Sequence, residues 1–387
     1  MEKKPQLSVV IPCLNEAETL ATCIRKAWIG IGAAEIAGEI IVADNGSTDG
    51  SQIIAEREGA RVVAVSAKGY GNALMGGISA SKGKWILMGD ADDSYDFREI
   101  PEFVAKLRSG YELVQGCRLP SGGGTVSAGA MPWSHRWIGN PLFSRLAARW
   151  FHAPVHDVYC GLRAFTKELF GRLNQRCTGM EFATEMIIKS SLNKAKIGEV
   201  PITLHKDGRG ERTPHLRTMR DGWRTLRFFL LCSPERLFII PGIVLVLLGT
   251  SAWALALPGA NLGGAYFDAH TLLVGSMLII CGFQAVCLGM LTELFTVSEG
   301  ILPPRKSKRP GEWLLRLEPS LLCSGGLLAT GGILIALVFV RWADAGFGEL
   351  EYAHTMRLVV PGVTATVLGV QLVFVAFVRS AIELKRN

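Results

Sequence analysis

Four aspartates are concentrated in the nine-residue stretch GDADDSYDF, residues 89–97, which directly follows the apolar run WILM. Carboxylates this close together repel one another unless a positive charge lies between them. Oxygen ligands in a D-x-D spacing at the end of a strand can hold Mg²⁺ or Mn²⁺, with coordination positions left for water and substrate phosphates. The stretch therefore indicates a divalent-metal site at Asp90 and Asp92. The alternative is a solvated turn whose aspartates cap the next helix.

Two further polar segments also follow apolar runs. In ADNGSTDGS, residues 43–51, Asp44 is suited to accept hydrogen bonds from a base or a ribose, although a capped turn explains the segment equally well. KGYGNAL, residues 68–74, is a glycine loop that enters a helix, so the backbone N–H groups around Lys68 and Gly69 can approach a phosphate. Neither GxGxxG nor GxxxxGK[ST] is present, which argues against a dinucleotide-binding motif and a P-loop.

The order of elements predicts how these segments are brought together. The apolar runs LSVVIP, EIIVAD, ARVVAVS and KWILMGD alternate with segments of helical periodicity. Strand, helix and strand in alternation predict an α/β domain with a mainly parallel, doubly wound sheet. Ligands of such sheets bind at the carboxyl ends of the strands, which is where the polar segments lie.

The last 150 residues or so predict a membrane domain. Four apolar stretches, 237–257, 271–291, 321–341 and 358–378, each approach the roughly 20 residues that cross a bilayer. The connection between the second and third carries Arg305, Lys306, Lys308, Arg309 and Arg316, whereas the one between the first and second has no Lys or Arg. This asymmetry predicts that the soluble domain and both termini are cytoplasmic.

Residues 214–236 predict a helix that lies in the plane of the lipid headgroups. An apolar set and a basic set recur at three- and four-residue spacing, one position apart: Leu216, Met219, Trp223, Leu226 and Leu230, and Arg217, Arg220, Arg224 and Arg227. The alternative is a helix that packs on the soluble domain with a solvated basic face.

The overall composition of the chain limits the classes of partner that it is expected to bind. The net charge of +7 suits anionic headgroups or phosphorylated substrates, and no nucleic-acid partner is expected. The nine cysteines include no CxxC and no Cys/His cluster with metal spacing, so we interpret them as reduced, mostly buried thiols. A zinc site is not expected.

Taken in order, the motifs resemble the GT-A, family 2 glycosyltransferases. VVIPCLNE, VADNGSTDGS and GDADD are similar to three hallmarks of that family, and QGCR, HDVYCGLRAFTKE, GMEFATEM and IGEVPITLH follow in the order of its dolichyl- or polyprenyl-phosphate subgroup, the dolichol-phosphate mannosyltransferase-like enzymes. The resemblance covers residues 7–236. It implies a GT-A, Rossmann-like cytoplasmic domain over 1–213, the juxtamembrane helix over 214–236 and an all-α transmembrane domain of about four helices over 237–387.

The resemblance, with the glycine loop, implies the residues that bind the nucleotide sugar, namely Pro12, Asn15, Glu16, Asp44, Lys68, Gly69, Asp90, Ala91 and Asp92. Asp90 and Asp92 would hold the metal cofactor, Mg²⁺ or Mn²⁺. The acceptor phosphate would be bound by Arg118, Arg136 and Arg163, to which the basic segment HKDGRGERTPH adds Arg209 and Arg212. Asp92, Asp157 and Arg163 would be catalytic, unless Arg163 simply forms a structural ion pair with Asp157.

Two departures from the family pattern matter. The glutamine of D-A-D-L-Q-H-P is missing, so Asp93 or Asp96 would have to replace it at the metal. The processive-synthase signature Q-x-x-R-W is also absent, since LAARW has Leu146 in place of the glutamine, which counts against a polysaccharide polymerase.

The implied reaction is an inverting transfer of a hexose from a UDP- or GDP-linked sugar to polyprenyl or dolichyl phosphate at the cytoplasmic (inner) membrane. A phosphate monoester with a second pKa of about 6 is largely dianionic at pH 7, so a strong general base is dispensable and Asp157 would orient groups. The alternatives are a hydroxyl lipid acceptor, such as diacylglycerol or a lipid-linked saccharide, and a non-catalytic membrane scaffold. The sugar, the nucleotide and the oligomeric state are left open.

Overall fold

The computed structural model of the chain describes residues 4–209, 218–304, 313 and 316–384. It divides into two compact units, Met1–Phe229 and Leu230–Asn387. The predicted sites for chemistry all belong to the first unit, and the four long apolar stretches belong to the second.

A seven-stranded sheet forms the centre of the first unit, in the order β3-β2-β1-β4-β7-β5-β8. Its strands are β1 (Leu7–Cys13), β2 (Gly38–Asp44), β3 (Arg61–Ala64), β4 (Trp85–Met88), β5 (Leu113–Cys117), β7 (Arg163–Thr166) and β8 (Ile197–Pro201). Only β7 runs antiparallel to its neighbours, β4 and β5. Two short strands, β6 (Thr125–Val126) and β9 (Thr203–Leu204), pair separately. The predicted mainly parallel α/β fold is confirmed.

Helices connect the strands and cover the sheet. They are α1 (Leu20–Ala33), α2 (Ser51–Arg57), α3 (Tyr70–Ala80), α4 (Ile100–Arg108), α5 (Asn140–Phe151), α6 (Lys167–Leu173), α7 (Glu181–Leu192) and α8 (Thr218–Leu231). In α1, Leu20, Ile24, Ala27 and Ile31 recur at helical spacing and are buried, so this face packs on the core. The residues of β1 from Leu7 to Ile11 are buried without alternation, as expected for a parallel strand covered on both sides.

The second unit contains four long apolar helices. They are α9 (Ile240–Ala256), which continues a π-helical turn at Glu235–Ile239, α10 (Ala269–Ser298), α11 (Leu317–Asp344) and α12 (Tyr352–Leu384). Each is long and apolar enough to cross a membrane, and each overlaps one of the four predicted spans. Two short strands, β10 (Asn261–Leu262) and β11 (Ala265–Tyr266), lie between α9 and α10. The predicted all-α domain of about four membrane helices is confirmed.

Glycines allow close backbone contact between α9 and α10. A Cβ at Gly249 would lie 2.6 Å from the carbonyl oxygen of Gly275, and one at Gly242 would lie 2.7 Å from that of Gly282. Small residues at such a crossing let membrane helices pack through their backbones. The interior glycines therefore support these spans.

The segment proposed as a headgroup-plane helix forms α8 from Thr218 onward. Arg212, Leu216 and Arg217 lie outside the described residues. Phe229 is completely buried against Phe143, Trp150 and Phe151, while Trp223 is 60% exposed. The described part of α8 therefore packs one face on the rest of the first unit, and its position in the headgroup plane stays a prediction.

Glu99, at the end of the 3₁₀ turn Phe97–Glu99, makes a pH-dependent contribution to stability. Burial is the main cause that raises its pKa from the ordinary 4.5 to about 7, and a hydrogen bond of 3.3 Å from the backbone N–H of Thr203 lowers it only in part. Its Oε2 is buried and has no hydrogen-bond partner. Ionisation therefore destabilises the fold, and stability is lost as the pH rises from about 4.5 through about 7.

We expect Glu99→Gln to be more stable than the wild type at pH 8, by on the order of 2 kcal/mol after allowance for partial exposure, because the glutamine cannot ionise. Below pH 4.5 the difference should vanish, since Glu99 is then protonated. Thermal unfolding in detergent at both pH values measures this. Glu56→Gln, at an exposed glutamate on α2, is the matched control, and an equal shift at both pH values would contradict the assignment.

Candidate active site

Three loops meet at the carboxyl edge of the sheet. β2, β1 and β4 are neighbours and run parallel, so the loops that follow Cys13, Asp44 and Met88 leave the sheet on the same side. This edge is where α/β folds bind ligands. It brings together the three segments that the sequence singled out.

The loop after β1 is fastened to the loop after β2. The backbone N–H of Asn15 donates to Ser47 Oγ at 2.9 Å, and that of Thr48 donates back to Asn15 Oδ1 at 2.8 Å. The N–H of Glu16 donates to Ser51 Oγ at 3.0 Å. Asn15 has φ +60, a left-handed conformation that asparagine tolerates better than most residues. These bonds hold Glu16 at the sheet edge, and Pro12 is half-buried at the end of β1.

Asp44 is an ionised carboxylate bound by its own loop. It accepts hydrogen bonds from the N–H groups of Gly46, at 3.1 Å, and Ser47, at 3.2 Å, and from Gln52 Nε2 at 3.0 Å. Burial alone would raise the pKa of Asp44, but the hydrogen bonds from Ser47 and Gln52 outweigh it and hold the pKa below the ordinary value. Its role toward a base stays a prediction.

The glycine loop before α3 is anchored from both sides. Lys68 Nζ donates to the carbonyl of Asn45 at 2.5 Å, and the N–H of Gly69 donates to Asn45 Oδ1 at 2.8 Å. Gly69 has φ +131, and a Cβ there would lie 2.4 Å from the carbonyl oxygen of Thr178. Only glycine fits this close approach.

Asp90 and Asp92 follow β4 and are already oriented by other side chains. Tyr70 donates its hydroxyl to Asp90 Oδ1 at 2.9 Å, and Ser94 donates both its N–H and its hydroxyl to Asp92 Oδ1, at 3.1 and 2.6 Å. Burial, followed by the charge of Asp92, raises the pKa of Asp90 to about 6, while the Tyr70 hydrogen bond lowers it. Ala91 between them is buried, and its carbonyl accepts from Thr19.

Glu16 and Arg209 complete this acidic corner. Arg209 pairs with Glu16 Oε1 at 3.0 Å, with Asp92 Oδ2 at 3.1 Å and with Asp207 Oδ2 at 2.6 Å. Burial is the main cause that raises the pKa of Glu16 to about 7; Arg209 lowers it, and Asp92 and Asp207 raise it further. We refer to Glu16, Asp90, Asp92 and Asp207 as the acidic corner.

The acidic corner has the donor set of a hard divalent cation. Glu16 is only 7% exposed, yet its Oε2 has no hydrogen-bond partner. Within the described residues, no group of three or more His, Cys, Asp or Glu side chains is placed to hold a metal ion, so a cation here would depend on two carboxylates together with water and substrate oxygens. Asp90 and Asp92 with an unpartnered glutamate oxygen nearby suit Mg²⁺ or Mn²⁺, because these ions retain waters and substrate phosphates.

The two proposed replacements for the missing glutamine have other partners. Asp93 forms a 2.8 Å ion pair with Lys26. Asp96 caps the 3₁₀ turn through the N–H of Arg98 and also pairs with its guanidinium. Glu16, from the loop after β1, is the further acidic residue that Arg209 joins to Asp92.

A second polar centre in the same unit is a buried ion pair. Arg118 donates from Nε to Asp157 Oδ2 at 2.7 Å and from Nη2 to Oδ1 at 2.9 Å. Asp157 is completely buried and Arg118 is 8% exposed. The alternative that Arg163 pairs with Asp157 is not what the structure has: Arg163, with no exposed surface, donates to the carbonyls of Cys160 and Ala183.

The remaining predicted residues are placed elsewhere or are not described. Arg136 lies in the π-helical turn His135–Gly139, with its guanidinium 5.2 Å from the ring of Trp137. Arg212 lies outside the described residues. Glu185, on α7, forms a buried pair with Lys189 at 2.7 Å.

Sequence reasoning missed several residues of the site. Tyr70 and Tyr95 lie within the segments KGYGNAL and GDADDSYDF. The sequence around a tyrosine in a loop does not show which residue its hydroxyl will bond, so neither was predicted. Tyr70 orients Asp90, and the Tyr95 hydroxyl accepts the N–H of Gly161 at 2.8 Å. Glu199 accepts the N–H of His156 at 2.6 Å and thereby supports the turn that carries Asp157. In the sequence, only the motif IGEVP pointed to Glu199.

Comparison with known proteins identifies the family. The family model described as glycosyl transferase family 2 matches residues 8–173, and the glycosyltransferase family 2 C-terminal transmembrane region matches residues 290–383. The low-salt glycan biosynthesis hexosyltransferase Agl6 of Haloferax volcanii is 36% identical over 378 residues, which is 96% of this chain and 88% of that protein. The chain belongs to glycosyltransferase family 2. The predicted resemblance is confirmed, and the protein is a membrane glycosyltransferase.

Other relatives of this glycosyltransferase carry more specific names. The dolichyl-phosphate hexose transferase of Haloferax volcanii is 32% identical over 51% of this chain and 81% of that protein. The undecaprenyl-phosphate 4-deoxy-4-formamido-L-arabinose transferase of Enterobacter sp. is 29% identical over 74% of this chain and 87% of that protein. Among solved structures, the Mycobacterium tuberculosis glucosyl-3-phosphoglycerate synthase with Mn²⁺, UDP-glucose and phosphoglyceric acid aligns with 59% of this chain and 79% of its own, at 24% identity and a TM-score of 0.45.

Proposed function

We propose that this glycosyltransferase transfers a hexose from a UDP- or GDP-linked sugar to polyprenyl or dolichyl phosphate, with inversion at the anomeric carbon. The observation that carries the proposal is the acidic corner at the carboxyl edge of the sheet, where Tyr70 orients Asp90 and Arg209 joins Asp92 to Glu16, whose Oε2 has no hydrogen-bond partner. The names of the dolichyl-phosphate and undecaprenyl-phosphate relatives support a lipid-phosphate acceptor.

On the donor side, Asp90 and Asp92 would hold Mg²⁺ or Mn²⁺, which when bound neutralises the departing nucleoside diphosphate. Tyr70 and Ser94 fix the two carboxylates in place before any ligand arrives. The remaining nucleotide-sugar residues would be those of the neighbouring loops, namely Pro12, Asn15, Glu16, Asp44, Lys68, Gly69 and Ala91.

On the acceptor side, the nucleophile is a phosphate oxygen that is already ionised at pH 7, so no strong base is required. Asp157 suits an orienting role, because both of its oxygens are bound to Arg118 in a buried pair. Arg163 is completely buried and donates to backbone carbonyls, which suits a residue that supports the site. The arginines that would meet the acceptor phosphate are then Arg118, Arg136, Arg209 and Arg212.

We further propose that the enzyme resides in the cytoplasmic membrane with its catalytic domain and both termini in the cytoplasm. The four apolar helices and the match to the family 2 transmembrane region support a membrane protein. The absence of Lys and Arg from residues 257–268, between α9 and α10, supports the orientation.

A panel of radiolabelled nucleotide sugars tests the acceptor. Purified enzyme in detergent is given each sugar with polyprenyl phosphate or diacylglycerol, with and without a chelator. We expect chelator-sensitive transfer to polyprenyl phosphate from one sugar, and none to diacylglycerol. Transfer to diacylglycerol alone would favour a hydroxyl acceptor. Failure to bind any nucleotide sugar with Mg²⁺ or Mn²⁺ present would favour a non-catalytic scaffold.

A further inference from the structure

The segment that carries Arg209 is bound alongside the D-x-D loop. The N–H of His205 donates to the carbonyl of Ser94, and that of Gly208 donates to the carbonyl of Asp92, each at 2.9 Å. A Cβ at Gly208 would lie 3.0 Å from Thr19 Cγ2, so this close approach favours a residue without a side chain. The backbone therefore delivers the next residue, Arg209, directly to the acidic corner.

Arg209 is shared among three carboxylates. Its Nη1 donates to Glu16 Oε1 at 3.0 Å and its Nη2 to Asp92 Oδ2 at 3.1 Å. Asp207 accepts from Nε at 2.9 Å and from Nη2 at 2.6 Å. The side chain is only 12% exposed. Arg209 therefore offsets part of the repulsion among these three carboxylates.

We infer that Arg209 is the internal counter-ion of the acidic corner and competes with the divalent cation for the carboxylates of Asp92 and Glu16. The inference deepens the proposed function and depends on it for the identity of the ligand. An arginine cannot lose its proton to make room. A guanidinium and a divalent cation bound to the same two carboxylates repel each other strongly in a partly buried site, so Arg209 must leave when the cation binds.

The exchange has a consequence for the order of binding. Once released, the planar guanidinium of Arg209 becomes available beside the diphosphate, where it can bind a phosphate in bidentate fashion. A phosphate-binding arginine that becomes free only after the cation has bound couples phosphate binding to cation binding. Such coupling is reciprocal between the two ligands.

The test measures Mn²⁺ binding to the full-length enzyme in detergent without nucleotide, by electron paramagnetic resonance at pH 8. We expect Arg209→Gln to bind Mn²⁺ roughly tenfold more tightly than the wild type, because the competing charge is gone. Arg209→Lys keeps the charge but cannot span three carboxylates, so an intermediate affinity is expected. Arg98→Gln, which removes an arginine from the same loop region without touching the acidic corner, is the control.

Unchanged or weaker Mn²⁺ binding in Arg209→Gln would overturn the inference. It would indicate that Arg209 serves only the phosphates of a substrate. If Arg209→Gln does not fold, the Mn²⁺ affinity of Arg209→Lys is compared with that of the wild type instead. An affinity no higher than that of the wild type would then overturn the inference. The Mn²⁺-binding measurement uses neither acceptor nor sugar transfer. If the nucleotide-sugar panel showed that polyprenyl phosphate is not the acceptor, the measured effect of Arg209 on Mn²⁺ binding would still hold. A failure of the proposed function can therefore be distinguished from a failure of this inference.

Discussion

Asp92→Asn is expected to lower the rate of sugar transfer by roughly 10³-fold or more. Asparagine keeps the size of the side chain and can still accept from Ser94, but it loses the charge that would bind the divalent cation and balance Arg209. Metal-assisted charge neutralisation is worth several kcal/mol in the transition state, and each 1.36 kcal/mol is tenfold in rate. Transfer from the active nucleotide sugar measures the rate, and Mn²⁺ binding measures the site itself.

The adjacent residue provides a matched control. Asp93 has φ +60, which asparagine tolerates, and its carboxylate pairs with Lys26, whereas Arg209 pairs with Glu16, Asp92 and Asp207. Asp93→Asn should therefore retain most of the activity and bind Mn²⁺ as the wild type does. A fully active Asp92→Asn enzyme, or equal losses in the two variants, would contradict the assignment of the metal to Asp92.

The sequence predicted the donor side of the site because that side depends on local order. Each polar segment directly follows an apolar run, and parallel strands place their carboxyl ends together. The positions of Asp44, Asp90 and Asp92 at one edge follow from that topology alone. The four membrane helices were equally predictable, since length and apolar composition suffice to predict them.

The ion pairs were not predictable in the same way. Arg209 meets Glu16 across 193 positions of sequence, and no periodicity links the two. We considered Asp157 as a partner of Arg163, six residues away, but it pairs with Arg118, 39 residues away. The reason is that Arg118 directly follows β5, which places it beside the turn at residue 157. The antiparallel direction of β7 cannot be read from the short run RAFT either. Such partners depend on tertiary placement.

Breaking the buried pair of Asp157 and Arg118 should lower the stability of the protein more than any other single substitution proposed for it. In Asp157→Asn the neutral amide leaves the guanidinium of Arg118 buried without a counter-charge, and one of the two short side-chain bonds is lost. Breaking a buried pair by removing one partner costs about 3–5 kcal/mol. We expect a much lower unfolding midpoint in thermal scans, and loss of transfer even at temperatures where the variant is folded.

A double variant separates the structural role from the chemical one. Asp157→Leu with Arg118→Met removes both charges, and well-packed apolar replacements of a buried pair are often neutral or stabilising. This variant should recover much of the unfolding midpoint but no transfer, because the pair that we propose to orient the reacting phosphate is gone. Glu58→Gln, which breaks the exposed pair with Arg25, should change neither property. If the double variant regains both stability and transfer, Asp157 and Arg118 serve the fold alone, and the acceptor phosphate must be oriented by other arginines.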